Sequence, residues 1–180
     1  GELELEIETY GGLGKRFGRY ASIVTLNQLK YTVADRLRIA PGFSAVANNI
    51  AGVPGWLDAR GGGFSGASLE IRAKLLDRAG APFGLTLHIQ PGWTRRDEPT
   101  GLDVTQYGSE FALLADKELL RDRLYGAINL WYGVSGGRTL GLPEWTQHSD
   151  LALHGALSYR IAPSVLIGGE IRYVRAYEGL

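Results

Sequence analysis

Charged side chains of both signs recur at every second position in two segments of this sequence. Glu70, Arg72 and Lys74 lie in "SGASLEIRAKLL", and Glu170 and Arg172 lie in "SVLIGGEIRYVRAY". Alternate residues of a β-strand point to the same face of a sheet, so each set would form one charged row. Such rows either fill an interior with salt bridges or line a water-filled passage.

His154 and Ser158 are the residues best suited to nucleophilic catalysis. Both fall on one side of the segment "DLALHGALSYR", but the sequence offers no evident carboxylate that would orient the histidine. Nucleophilic catalysis by such a pair requires a base within reach of the nucleophile and a group that positions the base. We therefore predict no catalytic residue and no enzyme activity.

The glycine-rich segment "GGLGKRFG" lacks the spacing of a nucleotide-binding loop. Lys15 is followed by Arg16 rather than by Ser or Thr, and Phe17 stands where the dinucleotide fingerprint requires glycine. None of the three histidines belongs to an H-E-x-x-H motif. We predict neither a cofactor nor a bound metal.

Composition excludes two classes of protein. The 180 residues carry 19 basic and 19 acidic side chains, whereas a nucleic-acid-binding protein normally has a basic excess. The sequence contains no run of apolar residues long enough for a transmembrane helix. The length suits a single domain over residues 1–180, with no nucleic-acid partner.

Alternation of apolar and polar residues predicts an all-β chain of nine strands. The alternation recurs almost from end to end and is cleanest over 65–76, whereas the two faces of 19–33 are not cleanly separated. No segment has a helical period of comparable quality. A glycine- or proline-containing connector separates most neighbouring segments. The predicted strands are 2–10, 19–33, 36–49, 65–76, 83–93, 107–115, 123–134, 150–160 and 164–177.

The segment "FGLTLHIQPGW" shows why the predicted strands have two unlike faces. Leu85, Leu87 and Ile89 alternate with polar residues, so one face is apolar and the other polar. The candidate apolar, lipid-facing residues are Leu69, Ile71, Leu85, Leu87, Ile89, Leu151, Leu153 and Ile167. The candidate polar, lumen-lining residues are Glu4, Glu6, Arg38, Glu70, Arg72, Lys74, His88, Gln90, Glu110, Arg160, Glu170 and Arg172.

Three features favour a membrane barrel over a soluble sandwich. The predicted strands have 9–15 residues, at or above the ~9–11 that cross a bilayer and longer than the ~5–6 of soluble strands. Short connectors are predicted at one end and long loops at the other, over 51–63, 96–106 and 135–149. Aromatic residues are mostly near strand ends, as in the girdles of membrane barrels.

In this architecture the chain resembles a Gram-negative outer-membrane β-barrel protein, porin-like in the broad sense. The resemblance implies an antiparallel up-and-down transmembrane β-barrel in the bacterial outer membrane, in contact with outer-membrane lipid. It also implies a passive channel for small hydrophilic solutes. Because the chain ends in "YVRAYEGL" after an odd ninth strand, and bacterial single-chain barrels have even strand numbers, we expect a fragment that lacks C-terminal strands.

Two other functions remain open at this stage. One is a closed structural or adhesive barrel that acts through its long loops, in which Trp56 and Trp145 would contact partners. The other is a soluble, lipocalin-like barrel that binds an apolar ligand inside. The two membrane readings place the apolar stripe outside, whereas the soluble reading buries it.

Overall fold

A computed structural model describes residues 1–179 as one antiparallel sheet. The sequence-based prediction of an all-β, up-and-down chain is confirmed, and the nine strands follow one another in space in chain order. The sheet curls into a half-barrel. The strands are β1 (Leu3–Leu13), β2 (Arg19–Ala34), β3 (Leu37–Ala51), β4 (Ala59–Leu76), β5 (Gly84–Arg96), β6 (Asp103–Leu120), β7 (Leu124–Thr139), β8 (Thr146–Ala162) and β9 (Val165–Glu178).

The strands extend further than the alternation pattern predicts. β4 begins at Ala59, β6 continues to Leu120 and β7 to Thr139, so the connector predicted over 135–149 shrinks to residues 140–145. Backbone pairing with neighbours continues where the apolar–polar pattern has ended, because main-chain hydrogen bonds do not depend on side-chain type. The two ends of the sheet therefore differ much less in loop length than expected.

Pairing register keeps polar positions together across the sheet. Glu6 lies opposite Gln28, Arg38 opposite Arg72, and Arg72 opposite His88. Paired residues of neighbouring strands point to the same face. The register thus defines an inner face, which carries these polar residues, and an outer face, which carries the apolar ones.

One irregularity inside the sheet exchanges the faces within a strand. Between Ser44 and Ala45 of β3 the register slips by one residue on β4, and Ser65 is the extra residue. Its buried hydroxyl donates a hydrogen bond to Ser44 Oγ at 2.7 Å. A bulge of one residue reverses the side-chain alternation beyond it, so Phe64 joins the outer face.

Burial is the reverse of that in a water-soluble sheet. Large apolar side chains of the outer face are exposed, including Leu69, Leu153 and Ile167 at 38%, 49% and 59%. The buried apolar residues within the strands of residues 1–179 all belong to the inner face. They are Val24, Ala40, Val46, Ile50, Ala112 and Ala152.

Both edges of the half-barrel have a free side within residues 1–179. β1 pairs only with β2, and β9 pairs only with β8. In an up-and-down sheet strands one and nine run in the same direction, so these two edges cannot pair with each other as antiparallel strands. Antiparallel closure requires an odd number of further strands between them.

Candidate functional site

The inner face is organised around the carboxylate of Glu70 on β4. Its side chain is only 4% exposed, and it accepts hydrogen bonds from Arg38 Nη2 at 2.9 Å and Arg72 Nη2 at 3.0 Å. A buried carboxylate is costly unless cations and donors compensate it. Here the register places Arg38 opposite Arg72, so both guanidinium groups come from one row next to Glu70 on the same face.

His88 on β5 continues this network towards the later strands. Arg72 Nε donates to His88 Nδ1 at 3.2 Å, so the neutral ring carries its proton on Nε2. The ring is 1% exposed and lies 5.1 Å, centroid to centroid, from the indole of Trp131 on β7. Ala112, which lies between them in the register, is small enough to allow this contact.

Further charged side chains on the inner face lie towards both edges of the sheet. On one side Lys30 lies 2.7 Å from Glu6 and 3.6 Å from Glu4. On the other side Trp131 is 6.4 Å from His154, which is 3.8 Å from Glu170, and Glu170 pairs with Arg172. We call this row the inner belt: Glu4, Glu6, Lys30, Arg38, Glu70, Arg72, His88, Trp131, His154, Glu170 and Arg172.

Two adjoining hydrophilic cavities lie beside the inner belt. They have volumes of about 300 and 270 Å³ and share Ser68 and Gln90. Most of the other inner-face side chains around them are hydroxyls, amides and carboxylates, with glycines between them. Such a surface hydrogen-bonds water or small polar solutes and gives an apolar ligand little to contact.

Glu110 and Asp150 face each other across a glycine in the second cavity. In the register Glu110 lies opposite Gly133, which lies opposite Asp150. A Cβ at Gly133 would be 2.5 Å from Asp150 Oδ1, so the aspartate leans over the glycine. Within residues 1–179 neither carboxylate has a salt-bridge partner, and the cavity wall there is electronegative.

The loop between β5 and β6 folds over the inner face of the first strands. The Glu98 carbonyl oxygen accepts hydrogen bonds from Ser22 Oγ and Asn48 Nδ2, both at 2.8 Å, and its carboxylate accepts one from Tyr10 Oη at 2.8 Å. Gly101 has φ +70°, and a Cβ there would be 2.8 Å from Asn48 Cγ. The close approach of this loop therefore depends on glycine.

The candidate lumen-lining residues all lie on the inner face, but they do not form one cluster. Eight of the twelve belong to the inner belt. Gln90 and Glu110 lie opposite each other and line the second of the hydrophilic cavities beside the belt. Lys74 instead lies 3.5 Å from Asp77 in the β4–β5 connector, and Arg160 lies near the end of β8.

The pKa of Asp77 in the β4–β5 connector is lowered, because its carboxylate accepts a hydrogen bond from the Ala79 N–H and lies close to the ammonium group of Lys74.

The register places the candidate lipid-facing residues on the opposite, outer face. Leu69, Leu153 and Ile167 are exposed, and the other five are partly exposed. None of the eight is buried. An exposed aromatic row accompanies them, in which Phe43 and Trp93 both lie opposite Ala67, Tyr107 lies opposite Trp93, and Phe64 packs 5.8 Å from Trp93.

Sequence reasoning missed four residues that shape this site. Lys30 lies in a segment whose two faces are not cleanly separated. Nothing in the sequence distinguishes Trp131 from the other aromatic residues of the strands. Asp150 and Glu98 lie at a strand end and in a connector in the sequence-based prediction. The residues that they face or contact lie on other strands, so no single segment of the sequence identifies them.

Ser158 and His154 do not form a catalytic pair in this geometry. Four residues of an extended strand separate them by about 13 Å, which is far beyond hydrogen-bond distance. The carboxylate beside His154 is Glu170, on the far side from Trp131. Within residues 1–179 no three His, Asp or Glu side chains converge as metal ligands, and no helix is long and apolar enough to cross a membrane.

These observations define the class of the protein as an all-β half-barrel with a polar inner face and an exposed apolar outer face. The chain belongs to a family of unknown function, DUF6662, which matches residues 1–179. No curated protein and no solved structure shows significant similarity to it.

Replacing Glu70 by Gln is expected to lower the free energy of unfolding by about 3 kcal/mol, the lower end of the cost of breaking a buried ion pair. The substitution leaves the guanidinium groups of Arg38 and Arg72 close together without a counter-charge. Denaturant unfolding measures the loss. Glu4→Gln is the control, because its side chain is 57% exposed and the expected change is below about 1 kcal/mol. Equal losses in the two variants would contradict the central role of Glu70.

Gly101→Ala is expected to detach the β5–β6 loop from the inner face, because the new Cβ collides with Asn48. Trypsin cleavage after Arg96 should then accelerate about five- to thirtyfold, the factor for 1–2 kcal/mol of easier opening. Gly55→Ala is the matched control, since Gly55 has φ +78° but nothing lies within 4 Å of a Cβ there. Similar acceleration in both variants would show that general destabilisation, and not the contact of this loop with Asn48, explains the effect.

Proposed function

We propose that this protein is a wall-forming part of a bacterial outer-membrane β-barrel that acts as a passive, porin-like channel for small hydrophilic solutes. The observation that carries the proposal is the distribution of polarity between the two faces. In water an apolar outer face of this extent would be very unfavourable, whereas acyl chains solvate it. The inner face supplies the polar surface that hydrated solutes require.

Strand length and backbone pairing support the same function. The strands have 11–18 residues, enough to cross a bilayer at a tilt. Lipid offers no hydrogen-bond partners, so spanning strands must be paired on both sides. Antiparallel pairing already satisfies β2 to β8.

Trp93 and Tyr107 of the outer aromatic row support a membrane interface near the end of the sheet that carries the β3–β4 and β5–β6 loops. Trp93 lies three residues before the end of β5, and Tyr107 lies four residues after the start of β6. Aromatic rings prefer the level of the lipid headgroups. The last residues of β5 beyond Trp93 include the charged Arg95 and Arg96, which suit the lipid headgroup region.

A closed barrel is the second candidate function, and two observations favour it. The inner belt spans the half-barrel from β1 to β9, and the β5–β6 loop covers part of the inner face. In a narrow barrel these groups would fill the lumen, and the protein would then act through its loops. Conductance separates the two functions, since only the channel passes ions.

Full-length protein reconstituted in a planar bilayer is expected to give discrete conductance steps. Glu110→Gln combined with Asp150→Asn should lower the preference for K⁺ over Cl⁻, because the inner wall loses two carboxylates that have no cationic partner. Reversal potentials in a KCl gradient measure this preference. Glu2→Gln, at an exposed position before β1, is the control. Insertion without any conductance would exclude the channel and favour the closed barrel.

Single cysteines at neighbouring positions of β5 are expected to differ in accessibility. The chain has no cysteine of its own, so Gln90→Cys on the inner face and Ile89→Cys on the outer face can be labelled cleanly. In liposomes a charged maleimide should label the first and not the second, because lipid covers the outer face. In urea both should react. Rapid labelling of Ile89→Cys in liposomes would contradict membrane insertion of this strand.

A further inference from the structure

A groove of about 770 Å³ lies on the outer face across β6 to β9, towards the end of the sheet that carries the β6–β7 turn. This volume falls within the ~300–1,000 Å³ of small-molecule sites. Phe83 and Leu119 lie beside the groove at the turn end. Its small floor residues are Ala115, Gly126, Gly155 and Gly169, and its larger wall residues are Ile128, Leu157 and Ile171.

The register creates this groove by alternating small and large residues. Leu157 lies between Gly126 and Gly169, and one row away Gly155 lies between Ile128 and Ile171. A Cβ at Gly169 would meet no atom within 4 Å. The depression is therefore open space along the strands, bordered by aliphatic side chains.

Lys117 gives one end of the groove a positive charge. It lines the groove from β6, opposite Gly126, and has no salt-bridge partner within residues 1–179. The two carboxylates at the groove margin are already neutralised, since Asp116 pairs with Arg78 at 2.8 Å and Glu170 pairs with Arg172. An apolar groove that ends at the ammonium group of Lys117 is complementary to an amphiphile with an apolar tail and an anionic head.

We propose that the groove holds one acyl chain of an anionic phospholipid, whose phosphate contacts Lys117. The groove is continuous with the outer face, so this inference rests on the proposed membrane function and commits to a lipid of the surrounding bilayer. The apolar walls bind the chain by dispersion contacts, and Lys117 supplies the preference for negative charge. Lys117 lies three residues before the end of β6, where headgroups are within reach of a long side chain.

Native mass spectrometry of the full-length protein tests this proposal. The protein is reconstituted in nanodiscs of equimolar phosphatidylglycerol and phosphatidylcholine and released with mild detergent, and retained lipids are counted. Wild-type protein should keep one phosphatidylglycerol. Gly169→Leu should abolish retention by filling the groove, and Lys117→Gln should reduce it about fivefold, the effect of one lysine near an anionic surface.

Two matched controls separate the groove from general effects. Ala47→Leu adds the same side chain to an exposed outer-face position of β3, and Arg121→Gln removes a 95% exposed cation from the nearby turn. Both should retain the lipid as the wild type does. Equal retention of the two lipids by wild-type protein, or undiminished retention by Gly169→Leu, would overturn the inference.

Conductance of the same samples distinguishes this inference from the proposed function. Channels that conduct but do not prefer phosphatidylglycerol would overturn the lipid site alone. Protein that inserts and retains the lipid without conducting would support the site and overturn the channel. Wild-type protein that neither inserts nor retains lipid would overturn both.

Discussion

Antiparallel pairing carries side-chain alternation from one strand to the next, and the properties of both faces follow from this constraint. Glu6 on β1 and Arg172 on β9 share a face because the intervening registers keep their alternation. Most slips lie near strand ends, where few side chains are affected. The slip at Ser44/Ala45 lies in mid-sheet, and the bulge at Ser65 confines its effect to the alternation of β4.

The inner belt shows how the half-barrel tolerates charge on its concave side. Glu70 is nearly inaccessible, yet two arginines compensate it, and His88 receives a hydrogen bond from one of them. Compensation is needed because a lone buried ion is strongly unfavourable. The network therefore stabilises the inner face only when all of its members are present. Removal of one side chain leaves its partners without a counter-charge or a hydrogen-bond partner.

Glycine determines how closely separate parts of the half-barrel approach. Gly101 allows the β5–β6 loop to contact Asn48, and Gly133 leaves room for Asp150 beside Glu110. On the outer face Gly126 and Gly169 leave a groove where side chains would otherwise form a continuous apolar surface. The same residue type thus brings a loop inward on one face and opens space on the other.

The sequence by itself determined the all-β class, the nine strands in order and the two faces, because alternation with period two is a local property. Strand ends and loop lengths were decided by pairing with neighbours, which the side-chain pattern does not report. The bulge at Ser65, which turns Phe64 outward, and the contacts of Lys30 and Glu98 were likewise decided only by tertiary structure. Each joins residues that are distant in sequence, and such a relation between segments cannot be inferred from any single segment.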